Sequence, residues 1–172
     1  MIEIKTYSTP VEDLTVIFTR DQVDKSDEGW NVLAAGFCPA DDLLVRLQPS
    51  KSSTVNETSK GFAPLDRAIS SYLDGDTTSV DSLPVQQPGT AFQQQVWSAL
   101  REIPAGERRT YAQLAEMIAR PTATRAVGTA CGRNLVAPLV PCHRVVRGDG
   151  TLGGYYYGLD TKKWLLDHEE KK

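Results

Sequence analysis

The sequence PCHRV places Cys142 between the rigid Pro141 and His143, one of two histidines in the 172-residue chain. A cysteine nucleophile uses a thiol beside an imidazole, because the imidazole lowers the thiol pKa and accepts its proton. Cys38 and Cys131 have no neighbouring histidine in the sequence, and we expect both to be inert, small hydrophobic residues.

The order of these side chains raises a geometric problem. Consecutive side chains of a regular strand point to opposite faces, so His143 does not stack directly on Cys142 in a strand. Either the chain bends at Pro141, or a water molecule bridges the thiol and the imidazole. The imidazole also needs an acid to orient it. The candidates are the acidic residues of the C-terminal segment, Asp167, Glu169 and Glu170.

Three helices are predicted ahead of this motif. The first, over residues 91–103, carries apolar residues at helical spacing and ends at the sequence PAGE. Thr110 is a suitable N-cap for the second helix, YAQLAEMIA. Thr122 or Thr124 is suitable for the third, RAVGTACGRN. The second and third helices, joined by a brief turn, resemble a helix-turn-helix.

The third helix contains Gly128, Ala130 and Gly132, which lower helix propensity but keep one helix face thin. A thin face flanked by Arg125 and Arg133 suits close approach to a nucleic acid. The same small residues also suit tight packing of the helix in a protein core. Spacing alone favours neither interpretation.

The N-terminal part of the chain predicts a small α/β unit, in which no residues form a recognisable chemical group. Alternating apolar residues indicate short strands. They are Ile2 and Ile4, then Leu14, Val16 and Phe18, then residues 32–37, and then Leu43, Val45 and Leu47. A helix is predicted over residues 64–73, with Pro64 in its first turn. Residues 75–89 are rich in turn formers and are predicted to be a linker or a surface connection.

Charge is divided unevenly along the chain. Residues 1–89 contain 7 Lys/Arg and 14 Asp/Glu, whereas residues 90–172 contain 12 and 8, which gives net charges of −7 and +4. A basic half hints at a polyanionic partner, although such a charge is also typical of an ordinary solvated surface.

The stretch PCHRVVRGDGTLGGY, preceded by GTAFQQQVWSAL, TYAQLA and RAVGTACGRN, resembles the O6-alkylguanine-DNA alkyltransferases, also called methylated-DNA–protein-cysteine methyltransferases. The resemblance covers residues 89–169, and the N-terminal half is much more divergent. It implies an α/β plus mostly α fold. A small RNase H-like α/β domain with a mostly antiparallel sheet would span residues 1–84. A helical, winged-helix-like domain with a helix-turn-helix and a short β element around Val145 and Tyr155 would span residues 85–172.

The resemblance also implies roles for individual residues. Cys142 would be the thiolate that accepts the alkyl group from guanine O6, His143 its water-mediated base, and Glu169 the acid that orients the base. Asn134 would buttress the active-site turn. Tyr111 would crowd the neighbouring phosphate and donate a hydrogen bond to the guanine.

The third predicted helix would enter the minor groove of double-stranded DNA that carries O6-alkylguanine. Arg125 would fill the base stack after the damaged nucleotide is extruded. The residues implied in DNA contact are Arg125, Gly128, Thr129, Ala130, Gly132 and Arg133. The residues implied in the alkyl pocket are Tyr155, Tyr156, Tyr157 and Val145.

Together these roles describe DNA repair by direct reversal of damage. The alkyl group, mainly methyl, would move irreversibly from O6-alkylguanine, and also from O4-alkylthymine, to Cys142, so that one protein is consumed per lesion. No cofactor is implied, and we expect a monomer; cooperative binding along DNA stays open. Two alternatives remain: a module that binds alkylated DNA without transfer, and a hydrolase that uses Cys142, His143 and Glu169.

Two departures from the family pattern concern the site. Leu135 stands where many members have proline after the motif asparagine. Tyr156 and Tyr157 follow Tyr155, where the family usually has smaller residues or a small residue and then tryptophan. Their bulk predicts poor acceptance of benzyl groups relative to methyl. The alternative is that one of these rings faces outward and packs on the N-terminal domain.

The remaining sequence features concern metals and location. Three cysteines without a CxxC pair indicate neither a disulfide framework nor a zinc site, and we expect no metal. The longest apolar run, residues 32–38, is too short to span a membrane. The first residues lack the layout of a secretory signal, so a cytoplasmic location is expected, associated with the nucleoid in a bacterium.

Overall fold

The computed structural model describes residues 1–20, 29–57 and 60–170. Its N-terminal part contains a four-stranded sheet in the order β3-β2-β1-β4. The strands are β1 (Ile2–Tyr7), β2 (Leu14–Arg20), β3 (Trp30–Gly36) and β4 (Val55–Glu57). Strand β2 pairs antiparallel with β1 and β3, and β4 pairs parallel with β1, which confirms a mostly antiparallel sheet.

Helix α1 (Ala40–Leu47) occupies the segment for which Leu43, Val45 and Leu47 predicted a strand, and that prediction is wrong. Leu43 is buried, and Leu44 and Leu47 pack against the same apolar cluster. Val45, by contrast, is 73% exposed. Burial therefore follows helical spacing, and the alternation of the three predicted positions is coincidental.

Helix α2 (Ala63–Leu73) confirms the predicted helix, but the segment after it is more than a surface connection. Three side chains within residues 75–89 are buried: Val80, Leu83 and Gln87. Val85 also forms a bridge with Val32 of β3. The segment therefore packs beside the sheet. Its many turn-forming residues predicted a surface connection, although the apolar residues between them are buried.

The C-terminal part begins with three helices. They are α3 (Ala91–Glu102), α4 (Tyr111–Met117) and α5 (Thr124–Gly132). Helices α3 and α4 each begin with a capping box of Thr and Gln, which confirms the Thr110 cap. The prediction of Thr122 or Thr124 as a cap is wrong, because Ala123 is the N-cap of α5 and Thr124 is already helical. Helices α4 and α5 pack against each other across a connection at residues 118–123.

The remaining elements surround the PCHRV motif. They are a 3-10 turn (Cys142–Arg144), the strands β5 (Arg109–Thr110) and β6 (Val145–Val146), and α6 (Leu159–Glu170). Strands β5 and β6 pair in parallel. The β element predicted around Val145 is therefore confirmed, whereas Tyr155 lies in a loop and in no strand.

The two parts of the chain share one hydrophobic core, which contains buried residues of the sheet and of α3, α4 and α5. Backbone hydrogen bonds also join them, because the Ala35 N–H donates to the Leu135 carbonyl and the Ala137 N–H donates to the Ala35 carbonyl. Strand β3 is thereby tied to the segment that leads to Cys142. No helix of the described residues is long and apolar enough to cross a membrane.

Candidate active site

Cys142 begins the 3-10 turn that follows Pro141, so the strand geometry that separates neighbouring side chains does not apply. The residue is half-buried and opens onto a cavity of about 240 Å³. The cavity walls come from α4, α5, the segment after α5 and the loop before α6. They include Tyr111, Gly128, Cys131, Asn134 and the three consecutive tyrosines.

The imidazole of His143 is completely buried, and its Nε2 lies 2.8 Å from Glu169 Oε1. Of the three acids that the sequence offered as partners, Glu169 is the one in contact with this imidazole. Asp167 and Glu170 instead pair with exposed cations. The fold of α6 against the 3-10 turn therefore selects one of the three candidates.

Arg144 holds the other side of the same carboxylate. Its Nε donates to Glu169 Oε2 at 2.9 Å, and its Nη2 donates to Oε1 at 2.9 Å. Its Nη1 donates to the Ile103 carbonyl at 2.6 Å. Hydrogen bonds from two guanidinium nitrogens to the two carboxylate oxygens fix the plane of the Glu169 carboxylate. Sequence reasoning missed Arg144, because nothing in the motif tells a buried arginine from one that faces DNA.

These contacts fix the charge state of the cluster. Burial opposes ionisation of Glu169, but the hydrogen bonds from His143 and Arg144 and the charge of Arg144 hold its pKa well below the usual range. Burial lowers the pKa of His143, and Glu169 offsets this only in part. An ionised carboxylate can only accept, so Nε2 carries the imidazole proton. The other nitrogen, Nδ1, is buried without a hydrogen-bond partner among the described residues.

Cys142 is protonated in this arrangement. Burial raises the pKa of its thiol, and the hydrogen bond from Asn134 and the charge of Lys162 offset this only in part. The lowering expected from the imidazole is absent, because a neutral His143 offers no positive charge. The thiol must therefore pass on its proton before it attacks. Burial also raises the pKa of Cys131, as expected for an unreactive thiol.

Asn134 ties together the segment that leads to the nucleophile. Its Nδ2 donates to the Val140 carbonyl at 2.7 Å. Its Oδ1 accepts from the Val136 N–H and from Gln87 Nε2, each at 3.1 Å. Gln87 Oε1 accepts from the Leu135 N–H at 2.9 Å. A proline at position 135 would have no N–H for this bond, so the departure from the family pattern supplies a donor to Gln87.

Lys162 is fully buried in α6 and was also missed from the sequence. Its Nζ donates to three carbonyls, those of Val145, Leu152 and Gly154. Burial lowers its pKa to about 8. An ammonium that is satisfied by three backbone acceptors is a cross-link for the loop that carries the pocket tyrosines.

The three tyrosines line the cavity, and Tyr156 and Tyr157 also contact the N-terminal part. Tyr156 is 60% exposed, and the Arg46 guanidinium lies 3.9 Å from its ring centre. The Tyr157 hydroxyl accepts from Arg46 Nη1 at 3.0 Å. Tyr156 and Tyr157 thus line the cavity and also contact Arg46, and their effect on benzyl transfer stays a prediction. The Tyr155 hydroxyl is buried with no hydrogen-bond partner among the described residues.

Two residues that the resemblance implied for the pocket and for DNA contact point into the core instead. Val145 is fully buried and does not line the cavity. Ala130 is 2% exposed, and its carbonyl accepts from Trp97 Nε1, because it lies on the side of α5 that faces α3. The others lie on the opposite, accessible side of α5. They are Arg125, Gly128, Thr129, Gly132 and Arg133.

In residues 1–20, 29–57 and 60–170, no three His, Cys, Asp or Glu side chains converge as a metal-binding group.

Comparison with known proteins identifies the family. Residues 91–171 match the profile described as 6-O-methylguanine DNA methyltransferase, DNA binding domain. The methylated-DNA–protein-cysteine methyltransferase of Methanosarcina barkeri is 48% identical over 114 residues, which are 66% of this chain and 72% of that protein. The chain belongs to the O6-methylguanine-DNA methyltransferase family.

Other relatives match over smaller shares of their length. The bifunctional transcriptional activator/DNA repair enzyme Ada of Escherichia coli is 58% identical over 88 residues, which are 51% of this chain and 25% of that protein. The chain therefore spans about a quarter of Ada. Structural likeness extends further. The crystal structure of Mycobacterium tuberculosis OGT in complex with DNA has a TM-score of 0.73 and 30% identity, over 98% of this chain and 92% of that one. The mixed α/β fold of this methyltransferase-family chain thus includes its divergent N-terminal half.

Proposed function

We propose that this protein repairs DNA by moving an alkyl group, mainly methyl, from guanine O6 to the sulfur of Cys142. One observation carries the proposal: a half-buried thiol opens onto a cavity of about 240 Å³ beside His143, whose Nε2 is bonded to Glu169. Relatives named methylated-DNA–protein-cysteine methyltransferase support the same reaction.

The reaction begins with the thiol proton. A water molecule between Cys142 Sγ and His143 Nδ1 passes this proton to the imidazole, and Glu169 stabilises the imidazolium that forms. The unprotonated Nδ1, which has no hydrogen-bond partner among the described residues, supports this path. As the thiolate attacks, the sulfur–carbon bond forms and the carbon–O6 bond breaks. Guanine N3 takes a proton from the Tyr111 hydroxyl, so the base leaves neutral. The imidazolium returns a proton to Tyr111 through solvent.

The reaction consumes the protein. Its product is a thioether, which is stable in water, so each molecule repairs one lesion. Thiol, imidazole, carboxylate and phenol supply every proton and electron pair that the transfer requires, and the proposal therefore includes no cofactor.

The proposed partner is double-stranded DNA that carries O6-alkylguanine. The alkyl group lies inside the duplex, so the nucleotide must rotate out before the sulfur can reach it. We propose that α5 enters the minor groove, where Gly128 and Gly132 allow close approach and Arg125 fills the vacated stack. Affinity should fall as salt rises and should depend little on sequence. The solved complex of Mycobacterium tuberculosis OGT with DNA supports this partner.

Further proposals concern organisation. Residues 1–84 would form an RNase H-like domain, and residues 85–172 a winged-helix-like domain whose α4 and α5 make the helix-turn-helix. We also propose a monomer, a cytoplasmic location and O4-alkylthymine as a second substrate.

Intact mass spectrometry after incubation with a duplex that contains one O6-methylguanine tests the proposed transfer. We expect a gain of one methyl group, which peptide mapping assigns to Cys142 and not to Cys38 or Cys131. The Cys142→Ala variant should gain none. An unmodified protein that still binds the lesion tightly would contradict transfer and indicate a damage-recognition module. Hydrolysis of a chromogenic ester that depends on Cys142 would indicate a hydrolase.

A further inference from the structure

Tyr72, in the last turn of α2, reaches the active site from the N-terminal part of the chain. Its hydroxyl donates to Glu169 Oε1 at 2.8 Å, the same oxygen that contacts His143 Nε2. We propose that Tyr72 is a positioning residue that sets the orientation and basicity of Glu169, and through it the proton affinity of His143. The inference rests on the proposed function, in which His143 is the base for Cys142.

A second contact holds Tyr72 on the same turn of α6. The Nε2 of His168 lies 2.6 Å from the Tyr72 carbonyl oxygen. The imidazole of His168 also stacks on Trp164, with ring centres 4.8 Å apart. Tyr72 therefore meets two consecutive residues of α6, one through its main chain and one through its side chain. This double contact gives its hydroxyl a fixed direction toward the carboxylate of Glu169.

The backbone of Glu169 lies against the turn at residues 104–107. Gly106 has φ +86°, and a β-carbon there would lie 3.2 Å from the Glu169 carbonyl oxygen. This close approach and the positive φ both favour glycine. The end of α6 therefore contacts both this turn and α2, so the position of Glu169 depends on both parts of the chain.

The hydroxyl of Tyr72 also affects the charge on Glu169. Oε1 accepts hydrogen bonds from Tyr72, His143 and Arg144. Each donor withdraws charge from the oxygen and weakens its attraction for a positive imidazole. Removing the hydroxyl therefore makes Oε1 a stronger partner for the imidazolium, and His143 takes up its proton at a higher pH.

Other charged or titratable groups face this cluster from neighbouring elements. They are Arg144 in the 3-10 turn, Lys162 in α6, Asp81 in the segment after α2, Tyr155 in the loop before α6, and Cys142 on the cavity side. All of them remain in a Tyr72→Phe variant, which keeps the ring and deletes one oxygen atom. The substitution therefore isolates the hydroxyl.

The test compares Tyr72→Phe with Tyr7→Phe. Tyr7 is a matched control, because its hydroxyl also donates to a carboxylate at 2.8 Å, that of Asp66, outside the site. We would measure the rate of methyl transfer against pH and the titration of His143 by nitrogen-15 NMR in the DNA-free protein. In Tyr72→Phe, the acidic limb of the rate profile and the His143 titration should both rise by about one pH unit, which is tenfold in proton affinity. The rate profile and the His143 titration of Tyr7→Phe should match those of the wild type.

Two results would overturn the inference. One is a rate profile and a His143 titration that both overlay the wild type in Tyr72→Phe. The other is an equal loss of rate at every pH with an unchanged titration, which would indicate a packing role alone. If the wild type transfers no methyl group, the proposed function fails, but the His143 titration still decides whether Tyr72 acts on this pair.

Discussion

The hydroxyl of Tyr157 lies directly against Gly36, where a β-carbon would be 2.0 Å from the phenolic oxygen. Gly36 is the last residue of β3, so the ring of Tyr157, which also lines the alkyl cavity, packs directly on the sheet. Arg46 of α1 donates to the same hydroxyl. One wall of the cavity is therefore positioned by the N-terminal part of the chain, in which sequence reasoning found no functional group.

The Gly36→Ala substitution is expected to displace Tyr157 and to break its hydrogen bond with Arg46. Overpacking of this kind costs about 1–3 kcal/mol, so the free energy of unfolding measured in urea should fall by that amount. Gly148→Ala is the matched control, because nothing lies within 4 Å of a β-carbon at that position. Equal stability of the two variants would mean that Tyr157 moves away from Gly36 without cost.

Benzyl transfer is expected to be slower than methyl transfer, because Tyr156 and Tyr157 narrow a cavity of about 240 Å³. Tyr156→Gly should raise the benzyl rate more than the methyl rate, since Tyr156 is 60% exposed and its removal leaves Tyr157 seated. Mass spectrometry of the protein after reaction with each modified duplex gives both rates. Equal rates for the two groups in the wild type would refute the assignment of these rings as a size filter.

The free energy of unfolding is expected to fall as the pH drops below the ordinary histidine pKa of about 6.5. Burial lowers the pKa of His143, so the unfolded chain binds this proton more readily than the folded chain, and acid favours unfolding. In urea titrations between about pH 7.5 and 5.5, the free energy of unfolding of His143→Gln should decrease less than that of the wild type. A fall in His143→Gln as steep as that of the wild type would place the effect in other groups.

Arg125→Ala is expected to slow methyl transfer from duplex DNA at least about tenfold, because the extruded nucleotide would lose the side chain that fills its place. Arg125 is exposed at the start of α5, so the free energy of unfolding should change by less than about 0.5 kcal/mol. The matched control is Arg67→Ala, which removes the same charge from an exposed position of α2. Comparable losses in both variants would indicate bulk electrostatic attraction and not a local role.

Sequence patterns predicted the C-terminal helices well, because local signals and packing agree there. The Thr110 capping box and the apolar spacing over residues 91–103 each correspond to an observed helix. The same patterns failed at α1, where Leu43 and Val45 follow strand alternation but only Leu43 is buried. A short apolar run is compatible with both the strand period and the helix period. Packing against the neighbouring sheet determines which of the two forms.

The polar groups behind the nucleophile were less predictable. Cys142 and His143 stand out in the sequence, but residue types and spacing left Glu169 as one of three equivalent acids. The family resemblance singled it out, and the structure places it against the imidazole. Lys162 and Tyr72 resemble any surface lysine and any core tyrosine. Their roles depend on carbonyl and carboxylate oxygens that distant segments supply, and local sequence carries no signal for such partners.

Lys162 donates to carbonyls on both sides of the exposed turn at residues 147–151. The Lys162 side chain thereby links the two ends of this stretch of backbone, and the turn lies between those ends. Changes of length or sequence in the turn should leave the backbone on either side of it in place, because surface turns usually tolerate such changes. We therefore expect the separation of Cys142 from Tyr155 to stay constant when residues of the turn between them are changed. The nucleophile and the pocket wall are in this way independent of the sequence of an exposed turn.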